Sequence, residues 1–417
     1  MTAPTPPIAT AGPPDHRLAD ASLLVRRPDG EPLAGADVRV RQVRHAFRFG
    51  CGLFDAIPLA NDELAGDALD LAEGTFARWQ ELFDHATLPF YWARFEPERG
   101  RPDTARLGRA ADWLIARGIT PKGHPLCWHT LAPDWLLPLA DDEILELQLA
   151  RIRRDVGDFA GRIESWDVCN EVVIMPVFDR YENGLTRVAR RIGRVEVVRR
   201  TFEAARETNP AAQLLLNDFD LSPAYEELIE DCLSAGAPID AIGLQTHMHQ
   251  GWWGVDRVLE TVERFARFGL PLRFTETTIV SGVLMPPEIV DLNDHQVASW
   301  PSTPDGEARQ AEEVEAHYRA LFGHPAVDAI VWWDFADGAW LNAPSGLVRA
   351  DGSPKPAWER LRRLIKGEWW TPPTTLTTDA HGRVGWRGTH GEYLADVGGR
   401  EGSIRLGPAG VAAEIRL

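Results

Sequence analysis

The chain has 417 residues, 44% of them hydrophobic, and a net charge of −18. That length suits one (β/α)8 barrel of about 250 residues with additions, or two ordinary α/β domains. The acidic surplus excludes nucleic acid and anionic membranes as expected partners, because both reward clustered Lys and Arg. A neutral ligand such as a carbohydrate asks for no charge complement.

Residues 1–18, rich in Pro, Ala and Thr, are expected to be disordered. They show neither a positive n-region nor an apolar h-region, so no signal peptide is read there. The chain therefore reads as cytoplasmic; a secreted protein whose signal had been removed would look the same. No stretch reaches 18 consecutive apolar residues, so no membrane span is expected.

Residues 19–44 carry two alternating strands around the turn signals Pro28-Asp29-Gly30 and Gly35, which predicts a β hairpin. Such a hairpin is too small to be stable alone. Residues 45–368 alternate short apolar runs with longer stretches of helical period. The candidate strands are 47–53, 85–92, 120–129, 165–171, 213–219, 241–247, 272–278 and 329–335. Eight strands alternating with helices predict an α/β fold, a (β/α)8 TIM barrel. A doubly wound open sheet is the alternative; no G-x-G-x-x-G follows the first strand, which weakens a dinucleotide reading. After Pro372-Pro373 the character changes again. Residues 371–417 are short, Gly-punctuated strands, expected to form a small β module with the N-terminal hairpin.

The four cysteines (Cys51, Cys127, Cys169 and Cys232) have no metal-like spacing, and buried thiols are the expected state. No metal or cofactor is called for.

The barrel strands end in chemistry. The third ends in His124 and continues to Trp128-His129, the fourth in Asn170-Glu171, the fifth in Asn217-Asp218. The sixth ends in Gln245-Thr246-His247, the seventh in Glu276, the eighth in Trp333-Asp334 with Trp340 beyond. Polar groups are costly inside a barrel, but strand C-termini are where barrel active sites form. Glu171 and Glu276 face one another across that mouth. Glycosidic cleavage needs two carboxyl groups, one protonated and one ionised; at about 5–5.5 Å apart they give retention, and a wider gap gives inversion. Crowding two carboxylates raises one pKa. Tryptophan faces stack on sugar rings, and amides and imidazoles bind their hydroxyls.

At these residues the sequence resembles glycoside hydrolase family 10, known mainly for endo-β-1,4-xylanases. The matching stretches are GHPLCWHTLAPDWL (123–136), WDVCNEV (166–172), LLLNDFDL (214–221), IDAIGLQTHMH (239–249), RFTETTI (273–279), WWDFADGAW (332–340) and GLVRADGSPKPAWERL (346–361). They come in family order. The resemblance implies a retaining glycosidase with Glu171 as acid/base, Glu276 as nucleophile and His247 bonded to the nucleophile. It implies that Asn170 contacts the sugar 2-hydroxyl, that Trp128 and His129 line the −1 subsite, and that Trp333 and Trp340 cover it. Asn217 and Gln245 join the sugar-binding set.

One departure matters. The family's second strand carries E-N-x-M-K-W, whose Glu, Asn and Lys bind the −2 and −1 sugars. Here Thr87, Leu88 and Tyr91 stand in those places, and no lysine is nearby to substitute. The run Phe90-Tyr91-Trp92 points to a more apolar or more closed glycone region, lined by Tyr91 and Trp92, which favours exo-action. Residues 280–308 form a long Pro-rich loop directly after Glu276, expected to wall the cleft; Trp252-Trp253 is a candidate aglycone platform. Two rival readings are a metal-dependent barrel hydrolase using His124, His129, His247 and His249, and a non-catalytic carbohydrate-binding protein. No H-E-x-x-H is present, and both glutamates are in place. Oligomeric state is not readable from the sequence.

Overall fold

Hydrophobic period places the elements, and a computed structural model describes residues 12–417. Two strands lead the chain: β1 (Leu18–Arg26) and β2 (Asp37–His45). Eight barrel strands follow: β3 (Arg48–Gly52), β4 (His85–Pro89), β5 (Thr120–His124), β6 (Ser165–Asn170), β7 (Gln213–Asp218), β8 (Ala241–Met248), β9 (Leu272–Ile279) and β10 (Val327–Trp332). Five more end the chain: β11 (Thr374–Thr377), β12 (Arg383–Thr389), β13 (Gly391–Val397), β14 (Arg400–Leu406) and β15 (Val411–Arg416). The helices are α1 (Ala56–Ala60), α2 (Asp67–Leu82), α3 (Trp92–Phe95), α4 (Thr104–Ile115), α5 (Asp141–Asp158), α6 (Gly184–Ile192), α7 (Arg194–Thr208), α8 (Pro223–Ser234), α9 (Gly254–Ala266), α10 (Pro304–Phe322) and α11 (Pro356–Arg363).

Strands β3 to β10 close into a parallel barrel, with β10 pairing β3. Both faces of these strands are covered, and β9 is buried at every position even though Arg273, Thr275, Glu276, Thr277 and Thr278 lie on it. Local signals start the helices. Thr303 and Ser222 accept backbone N–H bonds at the N-termini of α10 and α8, each followed by proline. At the N-terminal end of the strands, buried Arg273 donates to Asp328 at 3.0 Å and to Gln213 at 2.8 Å, so polar groups plug that end in satisfied pairs.

The accessory strands form two sheets, ordered β12-β1-β15 and β11-β2-β13-β14. Leu23, Val25, Val38, Val40, Tyr393 and Leu406 make their shared core. The predicted hairpin is corrected here: β1 and β2 lie in different sheets and do not pair. Only an isolated bridge, Arg26 with Pro32, joins the segment locally. The alternation in β2 is real, with Val38, Val40 and Gln42 inward, but its partners lie some 350 residues away.

The module sits at the strand N-terminal end, away from the strand C-termini. Arg17 donates to the carbonyls of Phe322, His324 and Val327 and lies 4.8 Å from the Phe47 ring centroid. The disorder expected over residues 1–18 therefore does not extend to Asp15–Arg17, a turn of 3-10 helix; residues 1–11 lie outside the described residues. All four cysteines are free and buried. Among the described residues no helix is long and apolar enough to cross a membrane.

Candidate active site

Glu171 follows β6 with φ +57°, the left-handed region that a side-chain-bearing residue adopts only when its surroundings hold it there. Its backbone N–H is held by the Asn217 carbonyl at 2.9 Å. The carboxylate accepts from Trp128 Nε1 at 2.7 Å and from Asn170 Nδ2 at 3.1 Å. Glu276, inside β9, accepts from Asn217 Nδ2 at 2.8 Å and faces His247 Nε2 at 3.2 Å. The carboxylates are joined through amides. Asn217 Nδ2 also donates to Asn170 Oδ1 at 2.7 Å, and Gln245 Nε2 donates to the same oxygen at 3.0 Å. Thr275 donates to Asn217 Oδ1 and fixes that amide's orientation. A Cβ on Gly243 would lie 2.4 Å from Asn217 Oδ1, so β8 needs glycine there for the amide to reach the site.

Three further groups stand in line behind Glu276. His124 Nε2 is 3.8 Å from Glu276 Oε1, and its Nδ1 bonds Asp167 at 2.7 Å. Lys122 Nζ donates to the same Asp167 oxygen at 2.6 Å. On the other side, His247 Nδ1 meets Thr278 Oγ1 at 3.1 Å. With Nε2 as the donor to Glu276, Nδ1 is left to accept the threonine hydroxyl.

The two carboxyls occupy opposite environments. Burial pushes Glu171 up to about 8; the Trp128 hydrogen bond opposes this and the charge of Glu276 reinforces it. Burial acts upward on Glu276 too. The charge of His124 and the hydrogen bond of His247 outweigh it and hold Glu276 below its ordinary value. Nearby, burial raises Asp334 to about 7 against a hydrogen bond from Ser345. Burial lowers His129 to about 4.

The fold brings Trp128, Asn170, Asn217, Gln245, His247, Trp333, Trp340 and Tyr91 around the two glutamates. Trp340 lies 4.7 Å from the His247 ring, and Trp333 lies 5.2 Å from His124. Trp92 does not join them. A helical turn begins at that residue, so consecutive side chains diverge. Its indole donates to Glu96 at 3.1 Å and packs on Trp135 and Arg151. His129 is buried beneath the loop after β6, 4.6 Å from Phe178. Thr87 and Leu88 are sealed in the barrel wall. The sheet does bring one lysine to that strand: Lys122 is the register partner of Thr87, with its ammonium on Asp167. Trp252 turns to His317 on α10 and packs on the core, as an ordinary packing residue would. The loop after β9 packs its Val280, Met285 and Trp300 in a small cluster with Ala343 of the segment after β10. Among the described residues no group of three or more His, Cys, Asp and Glu is placed to hold a metal ion.

Sequence reasoning missed Phe54, Thr278, Lys122 and Asp167. Thr278 was findable, since two residues beyond Glu276 on a strand returns to the same face. Phe54 gives no local signal.

A profile of glycosyl hydrolase family 10 matches residues 89–364, two-thirds of the chain. The chain belongs to that family. Endo-1,4-beta-xylanase 1 of Arabidopsis thaliana is 24% identical over 392 residues, covering 91% of this chain and 36% of the relative. Endo-1,4-beta-xylanase B of Thermotoga neapolitana is 26% identical over 293 residues, 66% of this chain and 78% of the relative. The chain thus spans about a third of the plant protein's length. Xylanase 10B of Thermotoga petrophila RKU-1, solved in complex with xylobiose, superposes with a TM-score of 0.62 at 22% identity. That superposition covers 77% of this chain and 94% of that one, and shows the shared barrel fold. The family match begins at the last residue of β4, so Phe54 lies outside it.

Proposed function

We propose that the chain is a retaining β-glycosidase acting on xylan-type polysaccharide or its oligosaccharides, with Glu171 as acid/base and Glu276 as nucleophile. The observation that carries this is the pair of buried carboxyls held in opposite protonation tendencies within one hydrogen-bonded cluster. Glu171, raised, keeps a proton near neutral pH; Glu276, lowered, stays ionised. A carboxylate oxygen of Glu276 attacks the anomeric carbon. The bond from that carbon to the leaving oxygen breaks, and Glu171 gives its proton to that oxygen. Water then attacks the glycosyl–Glu276 ester as Glu171 takes its proton, which releases the sugar and restores both groups. Asn170 and Gln245 reach the sugar hydroxyls, and Asn170 keeps one Nδ2 hydrogen unspent for that purpose. Trp128, Trp333 and Trp340 offer ring faces. The relatives named above are xylanases, which supports a xylan-type substrate.

The test is hydrolysis of aryl β-glycosides and soluble xylan by wild type and Glu276→Ala, with the product anomer followed by NMR. Wild type is expected to release the aryl alcohol with retention and the variant to lose at least 1,000-fold. Equal activity in the variant, or an inverted product, rejects the assignment.

A further inference from the structure

We infer that the glycone side of the cleft is a closed pocket for a single neutral, terminal sugar, walled by Phe54, Tyr91 and Trp333. The inference rests on the glycosidase reading and adds exo-action to it.

Four neighbouring strands, in the order β10, β3, β4 and β5, each deliver one aromatic ring just past their C-terminal end. The rings touch in series. Trp333 to Phe54 is 5.8 Å between centroids, Phe54 to Tyr91 is 6.0 Å and Tyr91 to Trp128 is 5.5 Å. Carbon atoms in contact lie about 3.5–4.0 Å apart, so a sugar ring held between two aromatic rings needs roughly 7–8 Å between them. No gap in this arc admits one.

The wall stands on the nucleophile's side. Tyr91 meets His124 edge-on at 5.9 Å, and Trp333 meets His124 and His247 at 5.2 and 6.1 Å. Both imidazoles face Glu276. The leaving group departs toward Glu171, so the ring bonded to Glu276 is confined between Glu171 and the wall. A second sugar on that ring would have to pass through Phe54–Tyr91 or Phe54–Trp333. Gly52 keeps the arc tight: a Cβ there would lie 2.5 Å from the Trp333 carbonyl oxygen. The three rings are themselves uncharged, and one cation stands beside them, the Arg94 guanidinium 5.7 Å from the Tyr91 ring centroid. The Tyr91 phenol, on a residue 8% exposed, lies in the opposing fields of Glu276, Arg94 and Glu171 and offers one hydrogen bond to the terminal hydroxyl of a neutral sugar.

The experiment compares paired aryl β-glycosides, xyloside with xylobioside and glucoside with cellobioside, in wild type, Phe54→Ala, Phe54→Ala/Tyr91→Ala and Glu276→Ala. Xylohexaose digestion is followed in parallel. In the pair that is cleaved, wild type should favour the monoside at least 10-fold in kcat/KM and release monosaccharide from the start. Phe54→Ala, a change at a partly exposed rim residue, should move the bioside-to-monoside ratio at least 5-fold toward the bioside. The double variant should move it further. A wild type that prefers the bioside, or releases di- and trisaccharides first, overturns the pocket while leaving the glycosidase reading intact. An unchanged ratio in Phe54→Ala also overturns it. Failure of the catalytic reading looks different: full activity in Glu276→Ala, or no cleavage of any pair by wild type, which removes both.

Discussion

Glu171 and Glu276 differ by little more than their neighbours, and those neighbours fix the expected pH profile. Glu276 is held below its ordinary value by His124 and His247, so the acid limb of kcat/KM should lie below the usual carboxylate range. Glu171 is pushed to about 8, so activity should fall as pH rises through 8 and the acid loses its proton. Glu171→Gln should cost roughly 100-fold or more on a poor leaving group. With a 2,4-dinitrophenyl leaving group, which needs no proton, the loss should be far smaller and the alkaline limb absent. An alkaline limb that survives in Glu171→Gln would assign it to another group, with Asp334 the next candidate. That both glutamates lie at the same end of the barrel was legible in the sequence, because each ends or lies within a readable strand. Their polarisation was not. It depends on the burial of Glu171 and on His124, carried on β5 beside Asp167 of β6.

Among the elements, the loop of residues 280–303 shows what a long Pro-rich segment does after the strand that carries Glu276. Trp300 is its anchor. The indole donates to the Val283 carbonyl at 2.7 Å, lies 4.6 Å from His295 and 5.8 Å from His249, and packs with Met285 and Ala343. Arg180 reaches from the loop after β6 to Asp291 and Asp294, tying the Glu171 side of the mouth to the Glu276 side. This cluster is separate from the barrel core, so its loss should open the loop locally rather than unfold the chain. Trp300→Ala should make 283–298 the first site of limited proteolysis, with a melting temperature within a few degrees of wild type. A cooperative drop of 10 °C or more would instead place Trp300 in the global folding unit. The sequence marked residues 280–308 as a loop, since few of its signals are periodic; its last five residues are corrected to the first turn of α10, which begins at Pro304 behind the Thr303 cap. The loop's internal packing was hidden because Trp300 and Met285 meet across 15 residues without a repeating pattern. The barrel strands were readable for the opposite reason, that most carry a short local apolar core, such as Leu214-Leu215-Leu216 in β7 and Ile330-Val331-Trp332 in β10. The β1–β2 segment misled because alternation identifies a strand and its inner face but not its partner. Adjacency favours a hairpin, whereas here each strand completes a different sheet with the chain's last forty residues.

For the whole molecule the question is what the accessory module contributes, given that it covers the strand N-termini and the glutamates lie at the C-termini. Arg17 is the clearest joint. Its guanidinium, buried enough for desolvation to lower its pKa to about 10, donates to three carbonyls at the end of α10 and the start of β10. It also lies over Phe47 and Phe322. A forked donor matches three acceptors in a way that a lysine ammonium does not. Arg17→Ala leaves those carbonyls without their side-chain donor, at a cost of roughly 2–4 kcal/mol. Arg17→Lys should recover only part of it. Both variants should melt lower than wild type, with kcat/KM on the cleaved aryl glycoside unchanged at 25 °C, because among the described residues the module's hydrogen bonds and ion pairs do not reach the carboxyl cluster. If kcat/KM falls while the far-UV circular dichroism and melting temperature hold, the module acts on the catalytic end through the barrel. If the melting curve splits into two steps, the module and barrel are separate cooperative units, and Arg17 couples them rather than stabilising a single fold.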